Sequence, residues 1–534
     1  MNTRTRTDIL LLVAFCFFLF FYGLGSFGLV GADEPRYAQV AREMLAHRDW
    51  ITPTLQAKPW LEKPVLYYWQ AMLGYAVSGV TDQAARLPAA LDAALLIAAV
   101  YLFLRRFRPG SQIDGALITA SCAATIGFAR AAATDMPLAA MFTIALLGWY
   151  AWYQSRQRVY LAVFYVFLAL ATLAKGPVAL VLAAIILLIF AAVRRDWPAV
   201  LHTLWIPGIV LFLAVALPWY IAVQMHNPEF FRVFILEHNL ARFSQDLYHH
   251  RQPFWFYVPV LLLSLMPWTL WLILAVVDCV KTTLRPAPAD RKSTFAVFLL
   301  IWLLVPVVLF SASQSKLPGY ILPSIPAGAL LITEYLAARR DNETPVSWLL
   351  AALHAILCGG LVFAALTAAH VVMNHRLTWG VAVYVATGVA GIVALAIVVA
   401  LRSRAGLRFL RFATLIPVVV GVAAILRLAA PSLDAKLSAR PIVRSLQSFS
   451  HEAVPVAVYG TKREQEYGLE FYLDRGVERY ELSQVPKESH VLVAAEKTQP
   501  QFGELLPGRK VSYLTSIPAQ NLELYWIGPA SAAP

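Results

Sequence analysis

Charge is scarce in this chain. Only 14% of its 534 residues are Asp, Glu, Lys or Arg, against 59% hydrophobic, and the mean hydropathy is +0.63. That balance excludes an ordinary soluble globular protein and requires apolar surface that meets lipid. Cysteine is scarce too. Cys16, Cys122, Cys279 and Cys358 lie in apolar segments with neither pairing nor metal-ligand spacing, so no disulfide framework is indicated. A Walker A sequence, a GxGxxG fingerprint, internal repeats and low-complexity tracts are all missing, which removes the signals of ATP-driven transport and of a nucleotide cofactor.

What the chain has instead is a series of apolar runs of about 20 residues, each long enough to cross a bilayer. About thirteen are expected by window hydropathy, roughly at 8–29, 83–104, 112–130, 137–154, 158–174, 177–193, 203–224, 254–278, 294–312, 319–337, 347–372, 378–401 and 409–429. The first follows a basic start but is too long for a signal peptide and has no small-residue cleavage site, so it reads as a retained span. The shorter run 64–80 is assigned to the membrane interface.

The net charge of +13 resembles that of a nucleic-acid binder, but the cations fall in clusters at alternate connections. Examples are Arg105-Arg106, Arg194-Arg195, Arg339-Arg340 and Arg402 with Arg404. The positive-inside rule explains such clusters and puts them in the cytoplasm. It places the loops 31–80 and 225–253, the segment around 314–320 and the C-terminus on the exported face. The expected architecture is a polytopic α-helical membrane domain over 1–430 and a small soluble α/β domain over 431–534. In that tail, helices are expected at 442–449 and 465–473, and strands at 454–458, 491–494, 510–514 and 522–526.

Ionisable groups near membrane depth are costly and are usually paired or functional. The stretch Gly31–Trp69 gathers Asp33, Glu34, Arg36, Tyr37, Lys58, Glu62, Lys63 and Tyr67 in one loop. Tyr37, Val40, Ala41 and Met44 fall at helical spacing there, which predicts a helix lying in the interface plane, capped by Asp33 or Glu34. Arg130 with Asp135, Glu237-His238 with Arg242, and Ser315-Lys316 through Tyr320 are further polar clusters on the same face, and Lys175-Gly176-Pro177 is a weaker one. Taken singly, each has a bland reading: Arg130 and Asp135 as a structural ion pair, His238 as a hydrogen-bonded interface histidine, the lysines as snorkelling anchors. Together they break the positive-inside pattern, and cations held on the exported face point to an anionic ligand such as phosphate. A carboxylate beside such cations suits group transfer from a lipid phosphate.

Two motifs go further. Asp33-Glu34-Pro35-Arg36-Tyr37 with Trp60-Leu61-Glu62-Lys63-Pro64-Val65-Leu66-Tyr67-Tyr68-Trp69, and Ser315-Lys316-Leu317-Pro318-Gly319-Tyr320-Ile321-Leu322-Pro323, resemble the GT-C membrane glycosyltransferases. They are similar to the bacterial branch that transfers 4-amino-4-deoxy-L-arabinose to lipid A, a relative of the protein O-mannosyltransferases. Pro64-Val65 stands where that branch has Pro-Pro.

The resemblance implies an inverting pentosyltransferase with Asp33 as the catalytic carboxylate. Lys63, Arg242 and Tyr320 would bind the donor phosphate. Glu34, Arg36, Tyr37, Lys58, Tyr67, Asp135 and Lys316 would line the substrate cavity, and Glu62 with His238 would hold a divalent metal such as zinc. It also implies an undecaprenyl-phosphate sugar donor, a lipid A acceptor, surrounding membrane lipids, no nucleic acid and a monomer. The setting would be the inner membrane of a Gram-negative bacterium, with a periplasmic active site and resistance to polymyxin-like peptides as the outcome. Another lipid-linked sugar or acceptor stays open. A lipid flippase is the reading from a different class, and it requires charged residues along the span centres. A scaffold that binds periplasmic partners through the C-terminal domain leaves the cationic loops unexplained.

Overall fold

The computed structural model describes residues 3–241, 252–284, 291–339, 346–403, 406–449, 454–483 and 485–529. Among them, nine helices are long and apolar enough to cross a membrane, or up to eleven if each of two bent pairs is one span. The expected spans 112–130 and 254–278 are those bent pairs. Gln112–Ser121 meets Ala123–Ala129 at 67°, and Tyr257–Ser264 meets the helix beginning at Thr269 at 112°. Pro267 cannot donate an amide, which interrupts the second pair. The two breaks then satisfy each other: the Ala123 amide donates to the Met266 carbonyl at 2.9 Å, and Trp268 Nε1 donates to Ser121 Oγ at 2.9 Å. Irregular backbone at membrane depth is tolerated where it is buried in protein in this way. Of the remaining expected spans, 177–193 is the 17-residue helix Val178–Arg194, and the first run is a 14-residue helix, Thr3–Cys16, continuing as π-helical Phe17–Phe21.

The spans are greasy on the outside as well as within. Val381–Arg402 leaves Val381, Ile392, Leu395 and Val399 exposed, and a contiguous apolar face of that kind is stable only against lipid. The chain is an integral membrane protein.

After the first span the chain turns into the Asp33–His47 helix, whose Tyr37, Val40, Ala41 and Met44 are buried as their spacing predicts. The expected cap is not there. Asp33 is already inside the helix, Ala32 precedes it without a side-chain bond, and Glu34 reaches back to accept the Val30 amide at 2.8 Å. A hairpin follows, β1 (Thr54–Leu55) and β2 (Lys58–Pro59), closed by Gln56 and Ala57, both with positive φ. Glu43 pins that tight turn by accepting the Gln56 and Ala57 amides at 2.9 and 3.2 Å. The run 64–80 is the Leu66–Ser78 helix.

The last long helix runs through residue 430 to Leu437. The small domain beyond it is built on a five-stranded mixed sheet in the order β4–β3–β5–β7–β6, with β3 Val456–Tyr459, β4 Glu478–Arg479, β5 His490–Ala495, β6 Val511–Ile517 and β7 Leu522–Ile527. β3 is parallel to β4 and β5, and β7 is antiparallel to β5 and β6. The expected tail elements correspond to the Arg440–Phe449 and Arg463–Leu473 helices and four of these strands; only the two-residue β4 has no counterpart. The domain is clamped onto the membrane part by charge. Asp82 accepts from Arg440 and the Tyr472 hydroxyl, and Arg42 reaches Asp474 at 2.7 Å.

Candidate active site

Asp33 opens the interfacial helix, and its carboxylate is 55% exposed. One turn on, Arg36 Nη2 donates to Asp33 Oδ1 at 2.5 Å, the i,i+3 spacing that lets two helical side chains meet. Three rings surround the Arg36 guanidinium: Tyr37 at 5.1 Å, Trp60 at 5.0 Å and Tyr467 of the small domain at 5.7 Å. Burial opposes the charge on Arg36, but the Tyr37 oxygen and the Asp33 and Glu62 carboxylates outweigh it, and the guanidinium is held more firmly protonated than usual. Tyr37 is buried beside this pair, and its phenol is pushed well above its ordinary value, by burial first and then by Asp33, with a smaller contribution from Asp135.

Asp135 is the second carboxylate that acts on the Tyr37 phenol. It begins the Asp135–Ser155 helix and accepts from Lys175 Nζ at 2.6 Å. Lys175 sits 5.1 Å from the centre of the Tyr320 ring, which also packs against Phe310. The closeness depends on glycine: a Cβ at Gly319 would stand 2.4 Å from Asp135 Oδ1, and one at Gly176 would stand 2.6 Å from the Phe234 ring. The Pro-Gly-Tyr and Lys-Gly-Pro sequences thus serve one cluster. Lys175 was the weakest cue in the sequence, and the structure puts it at the centre.

Several expected site residues lie elsewhere. Glu34 is buried, and both its oxygens are taken: Arg86 Nε and the Ala132 amide donate to one at 2.9 and 2.7 Å, Arg86 Nη2 and the Val30 amide to the other at 2.7 and 2.8 Å. It is a structural pin, with no face toward a cavity. Tyr67 is fully buried and donates to the Ala85 carbonyl at 2.8 Å. Lys316 is buried and donates to the Ser313 carbonyl at 2.5 Å. Arg130 and Asp135 do not pair; Arg130 donates to the Leu19 and Gly23 carbonyls instead.

Lys58 is exposed on β2, and Lys63 is half-buried in the turn before the Leu66–Ser78 helix. Arg242 lies outside the described residues, as do His249, His250 and Arg251. The span centres are also less clean than hydropathy implies. Asp92 is buried toward the middle of Asp82–Phe107 and accepts from Gln70 at 3.0 and 3.1 Å, while Arg86, near the start of that helix, is matched by Glu34, so neither marks a path.

Glu62 and His238 do come together, with Oε1 and Nε2 3.8 Å apart at a cavity of about 460 Å³ that His226 and Glu229 also line. Zinc sites take at least three protein ligands. Among the described residues no group of three metal-binding side chains assembles at this pair.

The small domain reaches this site through Glu470 as well as Tyr467. Glu470 is buried, accepts from the Gln56 side chain in the β1–β2 turn, and has its second oxygen unpartnered. Burial raises its carboxyl to about 7, Glu466 and Glu43 add to the rise, and Gln56 and a backbone bond at Val477 partly offset it. A raised carboxyl stabilises the docked state while protonated. That contribution is full below the ordinary value of 4.5 and is lost as pH rises through about 7. Thermal midpoints should therefore fall between about pH 5 and about pH 8, and Glu470→Gln should flatten the curve. An unchanged slope in the Gln variant would remove Glu470 as the cause.

Residues 62–221 match a family model described as dolichyl-phosphate-mannose-protein mannosyltransferase. A protein of Pseudomonas aeruginosa (strain UCBPP-PA14) named undecaprenyl phosphate-alpha-4-amino-4-deoxy-L-arabinose arabinosyl transferase is 32% identical over 344 residues, which is 63% of this chain and 61% of that protein. One of the same name from Edwardsiella ictaluri is 31% identical over 57% of this chain and 55% of its own length. The crystal structure of ArnT from Cupriavidus metallidurans bound to undecaprenyl phosphate superimposes with a TM-score of 0.78 at 22% identity, covering 98% of this chain and 99% of that one. The apo form of the same protein gives 0.74, with both chains fully covered. The chain therefore has the GT-C fold, in the form found in the ArnT-like membrane glycosyltransferases.

Proposed function

We propose that this protein is an inverting glycosyltransferase that moves 4-amino-4-deoxy-L-arabinose from undecaprenyl phosphate to a lipid A phosphate, on the periplasmic face of a Gram-negative inner membrane. The observation that carries the reading is the half-exposed Asp33 carboxylate, paired with Arg36 beside a Tyr37 phenol that also feels Asp135 of the Asp135–Lys175–Tyr320 cluster. The relatives' names and the undecaprenyl phosphate bound by the Cupriavidus protein support the donor class.

In the proposed reaction an acceptor phosphate oxygen attacks the anomeric carbon, and the bond from that carbon to the donor phosphate oxygen breaks. The configuration inverts and undecaprenyl phosphate leaves. Lys63, Arg242 and Tyr320 hold the donor phosphate as its charge grows. The acceptor is already ionised, so Asp33 is not needed as a strong base. It orients the acceptor or balances the cationic amino-sugar as positive charge develops at the ring. The product carries added positive charge on lipid A, which accounts for resistance to polymyxin-like cationic peptides.

The test is mass spectrometry of lipid A from a host lacking its own transferase, with and without this gene. An added aminopentose is the expected result. Unchanged lipid A would move the activity to another lipid-linked sugar or another acceptor.

A further inference from the structure

A second, wider cavity lies away from this site. It measures about 990 Å³ and gathers Arg108, Asp114, Asp278, Glu334, Arg408 and Arg411 at one end of the bundle. The Asp135–Ser155 helix fixes the separation: Asp135 belongs to the active site, while Gln154, on the cavity wall, is about 28 Å away at 1.5 Å per residue. This is the end that carries the basic clusters, the cytoplasmic end by the positive-inside rule.

The cavity is amphipathic along its length. Its charged rim gives way to Leu117, Ile118, Ala275, Leu331 and Leu410, and it reaches Trp268, about 15 Å of helix from Asp278. At the rim every carboxylate is answered by an arginine: Glu334 by Arg108 at 3.4 Å, Asp114 by Arg411 at 2.8 Å, Asp278 by Arg339 at 2.5 Å. Arg408 adds a further positive charge. Among the described residues, hydrogen-bonding capacity left over at these two arginines is on the donor side, since Arg108 Nη2 and Arg411 Nε are buried without an acceptor. Orphaned guanidinium donors call for an acceptor-rich anion, and the fork of an arginine matches phosphate. A soluble phosphate would leave the apolar depth unused.

We propose that this cavity binds one anionic phospholipid, with its phosphate at Arg108 and Arg411 and an acyl chain directed toward Trp268. Basic pockets between membrane helices on the cytoplasmic side recognise anionic headgroups in this manner. The site is separate from the proposed catalysis and stands without it.

The experiment uses full-length protein, delipidated in detergent and followed by native mass spectrometry with phosphatidylglycerol, phosphatidylethanolamine or inorganic phosphate. Wild-type protein should retain one phosphatidylglycerol in preference to phosphatidylethanolamine. The Arg108→Ala/Arg411→Ala pair should lower that retention about tenfold or more, at about 1 kcal/mol per arginine. Ala275→Phe, which fills the apolar wall and leaves the arginines in place, should lower it too and covers the case in which the arginine pair fails to fold. Equal retention of both lipids, binding of phosphate alone, or unchanged phosphatidylglycerol in folded variants would each overturn the proposal.

Discussion

Asp33→Asn is expected to give a folded, membrane-inserted protein that adds no aminopentose to lipid A. The carboxylate is half exposed, and among the described residues its ion-pair partner is Arg36, one turn away. Arg36 is only 13% exposed but keeps its three rings and the Glu62 charge. The amide keeps the shape of the carboxylate, so losing the pair with half-exposed Asp33 should cost about 1 kcal/mol and leave the fold intact. The chemistry should change greatly. Removing a full negative charge from a group that orients the acceptor or faces developing positive charge costs about 10²-fold or more in turnover. The loss should fall on kcat rather than KM, because the interaction strengthens as the glycosidic bond breaks. Thermal midpoint, membrane yield and lipid A mass separate the two effects. Normal transfer by the Asn variant would remove Asp33 from the mechanism, whatever the sugar.

Arg86→Met should do the opposite, by destabilising the protein itself. Arg86 is 1% exposed and Glu34 7%, and besides Glu34 the guanidinium donates to the Leu24, Phe27 and Gly28 carbonyls, each at 2.8 Å. Methionine fills the space but leaves Glu34 as an uncompensated buried charge and those carbonyls unpaired. Breaking a buried pair from one side costs about 3–5 kcal/mol. The expected readout is a large drop in thermal midpoint or in the yield of folded protein. Adding Glu34→Gln should recover part of the loss, because the two residues act as one unit. A wild-type midpoint in Arg86→Met alone would show that the pair contributes little to holding the first loop.

Much of the architecture is legible from hydropathy. Span positions, the Asp33–His47 helix with its buried face and the strands of the tail follow from apolar run length and from periods of 3.6 and 2, which local sequence carries. The cysteines, read as small hydrophobes, are all buried. The two bent spans are not legible, because the window average stays apolar across Cys122 and Met266–Trp268 while the backbone turns. The bends are stable only because each break supplies the other's partner across the fold.

The candidate site divides along the same line. The sequence by itself determined that this is a membrane protein with a charged, aromatic first loop and cations on the face opposite its basic clusters, because composition and spacing are properties of neighbours in the chain. It brought Asp33, Arg36 and Tyr37 into one helical turn for the same reason. Only the tertiary structure decided that Asp135 pairs with Lys175 rather than Arg130, that Glu34 is consumed by Arg86, and that Tyr467 and Glu470 of the small domain close over the first loop. Those partners lie tens to hundreds of residues apart. At low dielectric a charge must find its counter-charge wherever packing brings one, and that choice is made by the assembled helices.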